Sequence, residues 1–132
     1  MKIKPRTKIL YGVENKAALK VIKRTFTQLP AEVARFVNEN CMFVASHSKH
    51  ISMMLALHAL DWTPNCLIIL DFTHMRSRWA QDIVAHEIAH AWCDHSFGNA
   101  QEQEREADEQ AVAWGFRSKV DCTDPSTKKE EQ

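Results

Sequence analysis

Residues 76–97 read RSRWAQDIVAHEIAHAWCDHSF, and this stretch decides the fold of the chain. Apolar side chains recur along it at helical spacing and point in several directions around the helix axis: Trp79, Ile83, Val84, Ile88 and Trp92. A helix that is apolar nearly all round is buried inside a protein. We therefore predict a buried helix over residues 76–97.

The middle of this helix carries an H-E-x-x-H motif, His86-Glu87-Ile88-Ala89-His90. Residues four apart lie about 40° apart around a helix axis, so both imidazoles can reach one metal ion. Glu87 then lies beside them, next to a water on the metal, as in a catalytic zinc site. A chain of this composition contains the motif by chance with an expectation of roughly 3%. Two ordinary core histidines are the structural alternative, but that arrangement must also bury the Glu87 carboxyl, which is costly.

A zinc site in a peptidase needs a third protein ligand and leaves the fourth position for water. Two candidates lie on the histidine helix itself. His95 is about 140° around the axis from His90, which disfavours it as a ligand of the same ion. Cys93 is better explained as a buried, inert thiol. The third ligand is therefore expected from another element.

An acidic helix predicted over residues 100–114 supplies the remaining candidates, which are Glu102, Glu104, Glu106 and Glu109. Ala107 and Ala111 follow Glu104 by three and seven residues, so Glu104 shares the small-residue side of this helix. That side can pack closely against the histidine helix. We predict Glu104 as the third ligand and assign the other three glutamates to a solvated face.

The two motifs together resemble the gluzincin pairing of H-E-x-x-H with E-x-x-A-D, the second motif being Glu104-Arg-Glu-Ala-Asp108. The chain is similar to the small soluble relatives of HtpX-type peptidases and to ImmA/IrrE-type peptidases, over about the last half of its folded part. The resemblance implies a minigluzincin-like, zincin-like metallopeptidase domain with one Zn²⁺ per chain. It also implies that Glu104 binds the zinc and that Asp108 contacts a zinc ligand without binding the zinc itself.

The function implied is a zinc-dependent endopeptidase that hydrolyses peptide bonds with a metal-activated water. Glu87 is the expected general base, which later returns the proton to the leaving amine. An oxyanion donor is also expected, and the candidates are Tyr11, His58, His74 and His95. The alternative is a catalytically weak or inactive module that keeps the fold and the metal and binds a protein partner. The intact metal and base residues favour the enzyme.

The rest of the chain predicts an α+β fold with N-terminal helices over residues 14–29 and 31–40. Short apolar runs predict strands at 41–45 and 65–72. Residues 53–60 fit either a strand or a helix by periodicity, and their length and neighbours favour a third strand of a small sheet. Residues 54–60 are the predicted sheet edge, to which a substrate peptide could add antiparallel and lie across the zinc.

The end of the chain predicts where the domain stops. Gly115 is expected to supply the left-handed residue that ends the glutamate helix. Residues 121–132 lack large apolar side chains, so they are expected to fray. Residues 1–120 then form a single zincin-like domain.

Composition and charge exclude several classes of protein. A length of 132 residues favours one domain, and 17 basic residues balance 17 acidic ones, which argues against a nucleic-acid partner. The longest apolar stretch, 51–60, is half the length of a spanning helix, and the N-terminus lacks the features of a secretion signal. Four cysteines without a C-x-x-C pair are expected to be reduced thiols. We therefore expect a cytoplasmic protein that acts on a peptide or protein substrate and has no membrane partner.

Overall fold

The computed structural model describes residues 16–46, 52–56, 66–95 and 100–118. Five helices and three strands lie in these ranges: α1 (Lys16–Gln28), α2 (Ala31–Asn40), β1 (Cys41–Ser46), β2 (Met53–Ala56), β3 (Cys66–Asp71), α3 (Phe72–Met75), α4 (Ala80–Trp92) and α5 (Ala100–Ala113). The predicted α+β class is confirmed. No helix among these is both long and apolar enough to cross a membrane. The predicted tail, 121–132, lies outside the described ranges.

The sheet has the strand order β1-β3-β2. β3 is parallel to β1, with Cys41 opposite Cys66, and antiparallel to β2, with Met53 opposite Ile69. Alternate side chains of the two longer strands are buried: Cys41, Phe43, Ala45, Cys66, Ile68 and Leu70. In the described part of the chain β2 pairs only with β3, so it lies at a sheet edge as predicted for residues 54–60. Residues 57–60 of that prediction lie outside the described ranges.

Helix α4 lies at the centre of the core. It contacts α1, α2, α3, α5, β2 and β3. Nine of its 13 residues are buried, and these include His86, Glu87 and His90. The prediction of a buried helix around the H-E-x-x-H motif is therefore confirmed. The catalytic candidates of this helix lie among core residues rather than on a surface loop.

The predicted limits of this helix, 76–97, are wrong at both ends. On the N-terminal side, Phe72–Met75 form the separate helix α3, whose first turn is capped by the Asp71 carboxylate accepting from the main-chain N–H of Thr73 at 2.9 Å. Turns at 76–79 then separate α3 from α4. On the C-terminal side, α4 ends at Trp92 because the backbone enters the left-handed region at Asp94, with φ 60°.

The turn at Asp94 is a Schellman motif that ends the helix. The main-chain N–H of Asp94 donates to the Ala91 carbonyl at 3.1 Å, and that of His95 donates to the His90 carbonyl at 3.0 Å. Asp tolerates the left-handed region better than most residues with a Cβ. His95 is therefore directed back against the last turn of α4 instead of continuing the helix.

Helix α5 ends in the same kind of turn, built around Gly115 with φ 102°. The N–H groups of Gly115 and Phe116 donate to the carbonyls of Val112 and Ala111 at 2.9 and 3.0 Å. The predicted role of Gly115 is confirmed. The next residue, Arg117, donates its main-chain N–H to Asp82 in the first turn of α4 at 2.8 Å, which ties the end of α5 to the start of α4.

Candidate metal centre

The three predicted metal ligands lie together between α4 and α5. The Glu104 carboxylate lies between two imidazoles, with Oε1 3.0 Å from His86 Nε2 and Oε2 2.9 Å from His90 Nε2. One ligand atom from each of the three residues lies within 4.8 Å of the other two. His86, His90 and Glu104 thus form a cluster that could hold a metal ion.

Each side of this cluster is positioned by a different physical cause. His86 and His90 share one face of α4, with ring centroids 4.8 Å apart, and the surrounding core buries them both. Glu104 belongs to α5, whose buried residues are Ala107 and Ala111. These small side chains let the two helices approach closely, which brings Glu104 to the histidines. The Glu104 side chain remains 51% exposed, so the cluster is open to solvent on this side.

Burial controls the charge of His90. The pKa of His90 is lowered to about 4, first by desolvation and then by the neighbouring His86, whereas Glu104 acts in the opposite direction. His90 is therefore neutral at neutral pH. A neutral imidazole has a free lone pair for a metal, whereas a protonated one has none.

Asp108 lies behind His86, on the side of the ring opposite Glu104. Its Oδ1 is 3.6 Å from His86 Nδ1, and its Oδ2 accepts a short hydrogen bond from the hydroxyl of Ser118. The Asp108 side chain is 20% exposed. A carboxylate in this position can attract the Nδ1 proton of His86 and so direct the Nε2 lone pair toward Glu104.

His95 and Glu106 lie behind His90 in a similar way. His95 Nδ1 is 2.8 Å from His90 Nδ1, and His95 Nε2 is 2.8 Å from Glu106 Oε1. Glu106 keeps 49% of its side chain exposed, but its assignment to a purely solvated face overlooked this contact. With both ring nitrogens engaged, His95 could serve as an oxyanion donor only if one of these contacts broke.

The contact between His95 and His90 could not be predicted from helical spacing. That spacing holds only while the helix continues, and the chain leaves the helix at Asp94. Glycine is the residue from which such a turn is usually predicted, and the position holds an aspartate instead. The sequence feature that pointed to this contact is a third histidine five residues after His90.

The candidate base Glu87 and the oxyanion candidate His74 lie in different helices. Glu87 is 2% exposed and lies in the same turn of α4 as the ligand candidates. His74, an oxyanion candidate, belongs to α3, where its Nδ1 is 2.8 Å from the hydroxyl of Ser52. That hydroxyl also accepts the main-chain N–H of Asp71 at 2.9 Å. The candidates Tyr11 and His58 lie outside the described residues.

Comparisons of the chain with protein-family models, with curated proteins and with solved structures find no significant match.

Proposed function

We propose that the chain is a zinc-dependent endopeptidase in which His86, His90 and Glu104 hold one zinc ion and Glu87 is the general base. The observation that carries the proposal is the convergence of two imidazole nitrogens and a carboxylate from separate helices. A buried glutamate lies in the same helical turn as the two imidazoles. Either helix alone would supply only part of this set.

The donor set fits a catalytic zinc ion. Two histidines and one glutamate are a known ligand combination in zinc peptidases, and they leave a fourth position for water. Four ligands about 2.1 Å from a tetrahedral metal lie about 3.4 Å from one another. The distances of 2.9 and 3.0 Å between Glu104 and the two imidazoles are close to that spacing. A small outward movement of the exposed carboxylate would open the required space.

Zinc, when bound, would polarise the substrate carbonyl and lower the pKa of the attacking water to around 7. The remaining steps belong to this chain. The Glu87 carboxylate takes a proton from the attacking water and later delivers it to the leaving amine nitrogen. Burial of Glu87 keeps bulk water from competing for that proton. The exposed side of Glu104 leaves room for a substrate to approach.

The edge strand β2 supports a peptide as the substrate. β2 contacts α4, which carries the two histidines, and Met53 and Leu55 project from it as exposed apolar side chains. An extended peptide can add to such an edge through main-chain hydrogen bonds and place its side chains against the apolar ones. A substrate held in this way would lie beside the histidine helix.

The direct test is elemental analysis of the purified protein, followed by digestion of an unfolded protein substrate with and without a chelator. We expect about one zinc per chain, hydrolysis by the loaded protein, loss of hydrolysis with the chelator and recovery when zinc is restored. Zinc binding without hydrolysis would instead identify a metal-containing binding module. A protein that binds no zinc would contradict the proposal altogether.

Binding through the sheet edge predicts that recognition depends mainly on the peptide backbone. Peptides N-methylated on the amides that face β2 should bind much more weakly than peptides with altered side chains, because each methyl removes a main-chain donor. Inhibition constants for matched peptide pairs measure the effect. Equal binding of methylated and unmethylated peptides would rule out this mode.

A further inference from the structure

We propose that His95 and Glu106 form a proton-ordering relay that fixes the tautomer of His90 and thereby aims its Nε2 lone pair at the metal. In this role both are positioning residues. The inference rests on the metal site of the proposed function, but it concerns His95, which lies outside both motifs, and Glu106, which occupies a variable position of the second. It assigns a function to a buried histidine and to a glutamate that would otherwise be read as a solvent-facing side chain.

The geometry is a continuous chain of three side chains. Glu106 Oε1, the His95 ring and the His90 ring follow one another with two contacts of 2.8 Å each. His95 is 6% exposed and His90 8%, so little water competes for these contacts. Both distances lie within the range of strong hydrogen bonds between ring nitrogens and their partners.

The direction of the hydrogen bonds follows from counting protons. An ionised carboxylate can only accept, so His95 donates its Nε2 proton to Glu106, and in the relay this is the one ring proton of His95. His95 Nδ1 then has a lone pair and must accept. His90 must in turn donate from Nδ1, which leaves its Nε2 without a proton. This is the tautomer in which His90 can bind a metal through Nε2, the atom that faces Glu104.

The Schellman turn at Asp94 explains why the relay can form. A continued helix would direct His95 away from His90, but the left-handed residue folds the chain back, and the His95 N–H is held by the His90 carbonyl at 3.0 Å. Main-chain and side-chain contacts therefore join the same pair of residues. The ring of His95 is positioned by the backbone rather than by the metal.

The two histidine ligands are thus supported by different chemistry. His86 faces the carboxylate of Asp108 directly, at 3.6 Å. His90 reaches Glu106 only through the His95 ring. Both arrangements end at a carboxylate on α5. Packing of α5 against α4 therefore brings the ligand Glu104 and both supporting carboxylates to the two histidines at the same time.

The test compares zinc dissociation constants, measured by competition with a chelating dye, for variants of the full chain. His95→Phe should weaken zinc binding by about 10–100-fold, because removal of a group that orients a ligand histidine has effects of this size. His95→Gln should restore most of the affinity, since an amide can accept from His90 with its oxygen and donate to Glu106 with its nitrogen. Glu109→Gln is the matched control, because this exposed glutamate of α5 pairs with Arg105 at 3.2 Å and should leave affinity unchanged.

A second measurement reports the tautomers directly. In the zinc-loaded protein, ¹⁵N-resolved imidazole spectra should show the proton of His90 on Nδ1 and that of His95 on Nε2. Glu106→Gln should relax the preference of His95, because the amide can also donate, and a mixture of its tautomers should appear. A purely structural role for His95 would leave these signals unchanged. If His95→Phe fails to fold, the spectra of the wild-type and Glu106→Gln proteins decide the question.

Wild-type affinity in His95→Phe, or a His95 proton on Nδ1 in the zinc-loaded protein, would overturn the relay. A wild-type chain that binds no zinc would overturn both the relay and the proposed function. If the variants change zinc affinity as expected but the loaded protein hydrolyses nothing, the relay is supported and the endopeptidase proposal fails.

Discussion

Helices α4 and α5 contribute to the same site from opposite physical situations. Of the 13 residues of α4, nine are buried, whereas only Ala107 and Ala111 are buried among the 14 residues of α5. Two ligand candidates and the candidate base are therefore held by the core, while Glu104 is held by a contact of two alanines and by polar bonds. A site of this kind has one rigid half and one half that depends on helix packing.

The ends of the two helices extend the comparison. Each ends in a Schellman turn, and the residue that follows the left-handed position is buried in both cases, at 6% exposure for His95 and 7% for Phe116. After α5 the buried residue is apolar and completes the core. After α4 it is a histidine that contacts a ligand candidate. The same backbone motif thus serves packing in one helix and chemistry in the other.

The largest expected effect separates chemistry from metal binding within α4. Glu87→Gln preserves the shape of the side chain but removes the base, so hydrolysis should fall by at least about 100-fold, the lower range for general acid–base catalysis. Zinc content and the unfolding transition should remain near those of wild type. Elemental analysis and turnover of a fluorogenic peptide measure the two effects. Turnover close to the wild-type rate would remove Glu87 from the mechanism.

The next effect tests which glutamate of α5 binds the metal. Glu104→Ala should weaken zinc binding by more than the roughly 100-fold that marks the upper range for supporting residues, because it removes a ligand atom. Glu106→Ala should weaken binding less, since it acts only through His95. Chelator competition with both variants measures the difference. Retention of zinc by Glu104→Ala together with its loss from Glu106→Ala would show that Glu106 rather than Glu104 binds the metal.

A smaller effect on zinc affinity is expected for Asp108, which lies behind His86. Asp108→Ala should lower zinc affinity by about 10–100-fold, because His86 would lose the carboxylate that orients its ring. The Ser118 hydroxyl would also lose its acceptor, so Ser118→Ala is the control for that bond. If Asp108→Ala binds zinc as wild type does, Asp108 stabilises the end of α5 rather than the metal site.

The smallest effect compares the two turns. Asp94→Gly should stabilise the protein by up to about 1 kcal/mol, because glycine adopts the left-handed region without steric cost. Gly115→Ala should destabilise it by about 1 kcal/mol, and a Cβ there meets no atom within 4 Å, so the cost is conformational alone. Thermal unfolding measures both. Opposite signs confirm that the two turns share one backbone geometry, whereas equal signs would show that Asp94 contributes through its side chain.

The local rules of helix and strand formation were sufficient for much of the fold. Helix α2 begins after Pro30 and covers the predicted 31–40, and Gly115 ends α5 as expected. The three short apolar runs form three strands of one sheet, with β2 at its edge. These features could be predicted because each depends on a residue's own backbone preference or on the spacing of its apolar neighbours.

The sequence by itself determined the chemistry of the candidate site. The spacing of His86 and His90 places both rings on one helical face whatever surrounds the helix, because helix geometry depends on hydrogen bonds that are local in sequence. The alanines beside Glu104 similarly indicated which face of α5 could approach another helix. Such features are properties of short segments.

Only the tertiary structure decided which polar groups support the ligands. The His90–His95–Glu106 chain needs both the left-handed turn at Asp94 and the packing of α5 against α4, and neither of these specifies the contact alone. A hydrogen bond between two side chains requires a distance of about 3 Å between donor and acceptor. Whether that distance is reached depends on how the whole helices that carry the two side chains pack together. The residue pattern of one short segment therefore cannot predict these hydrogen bonds.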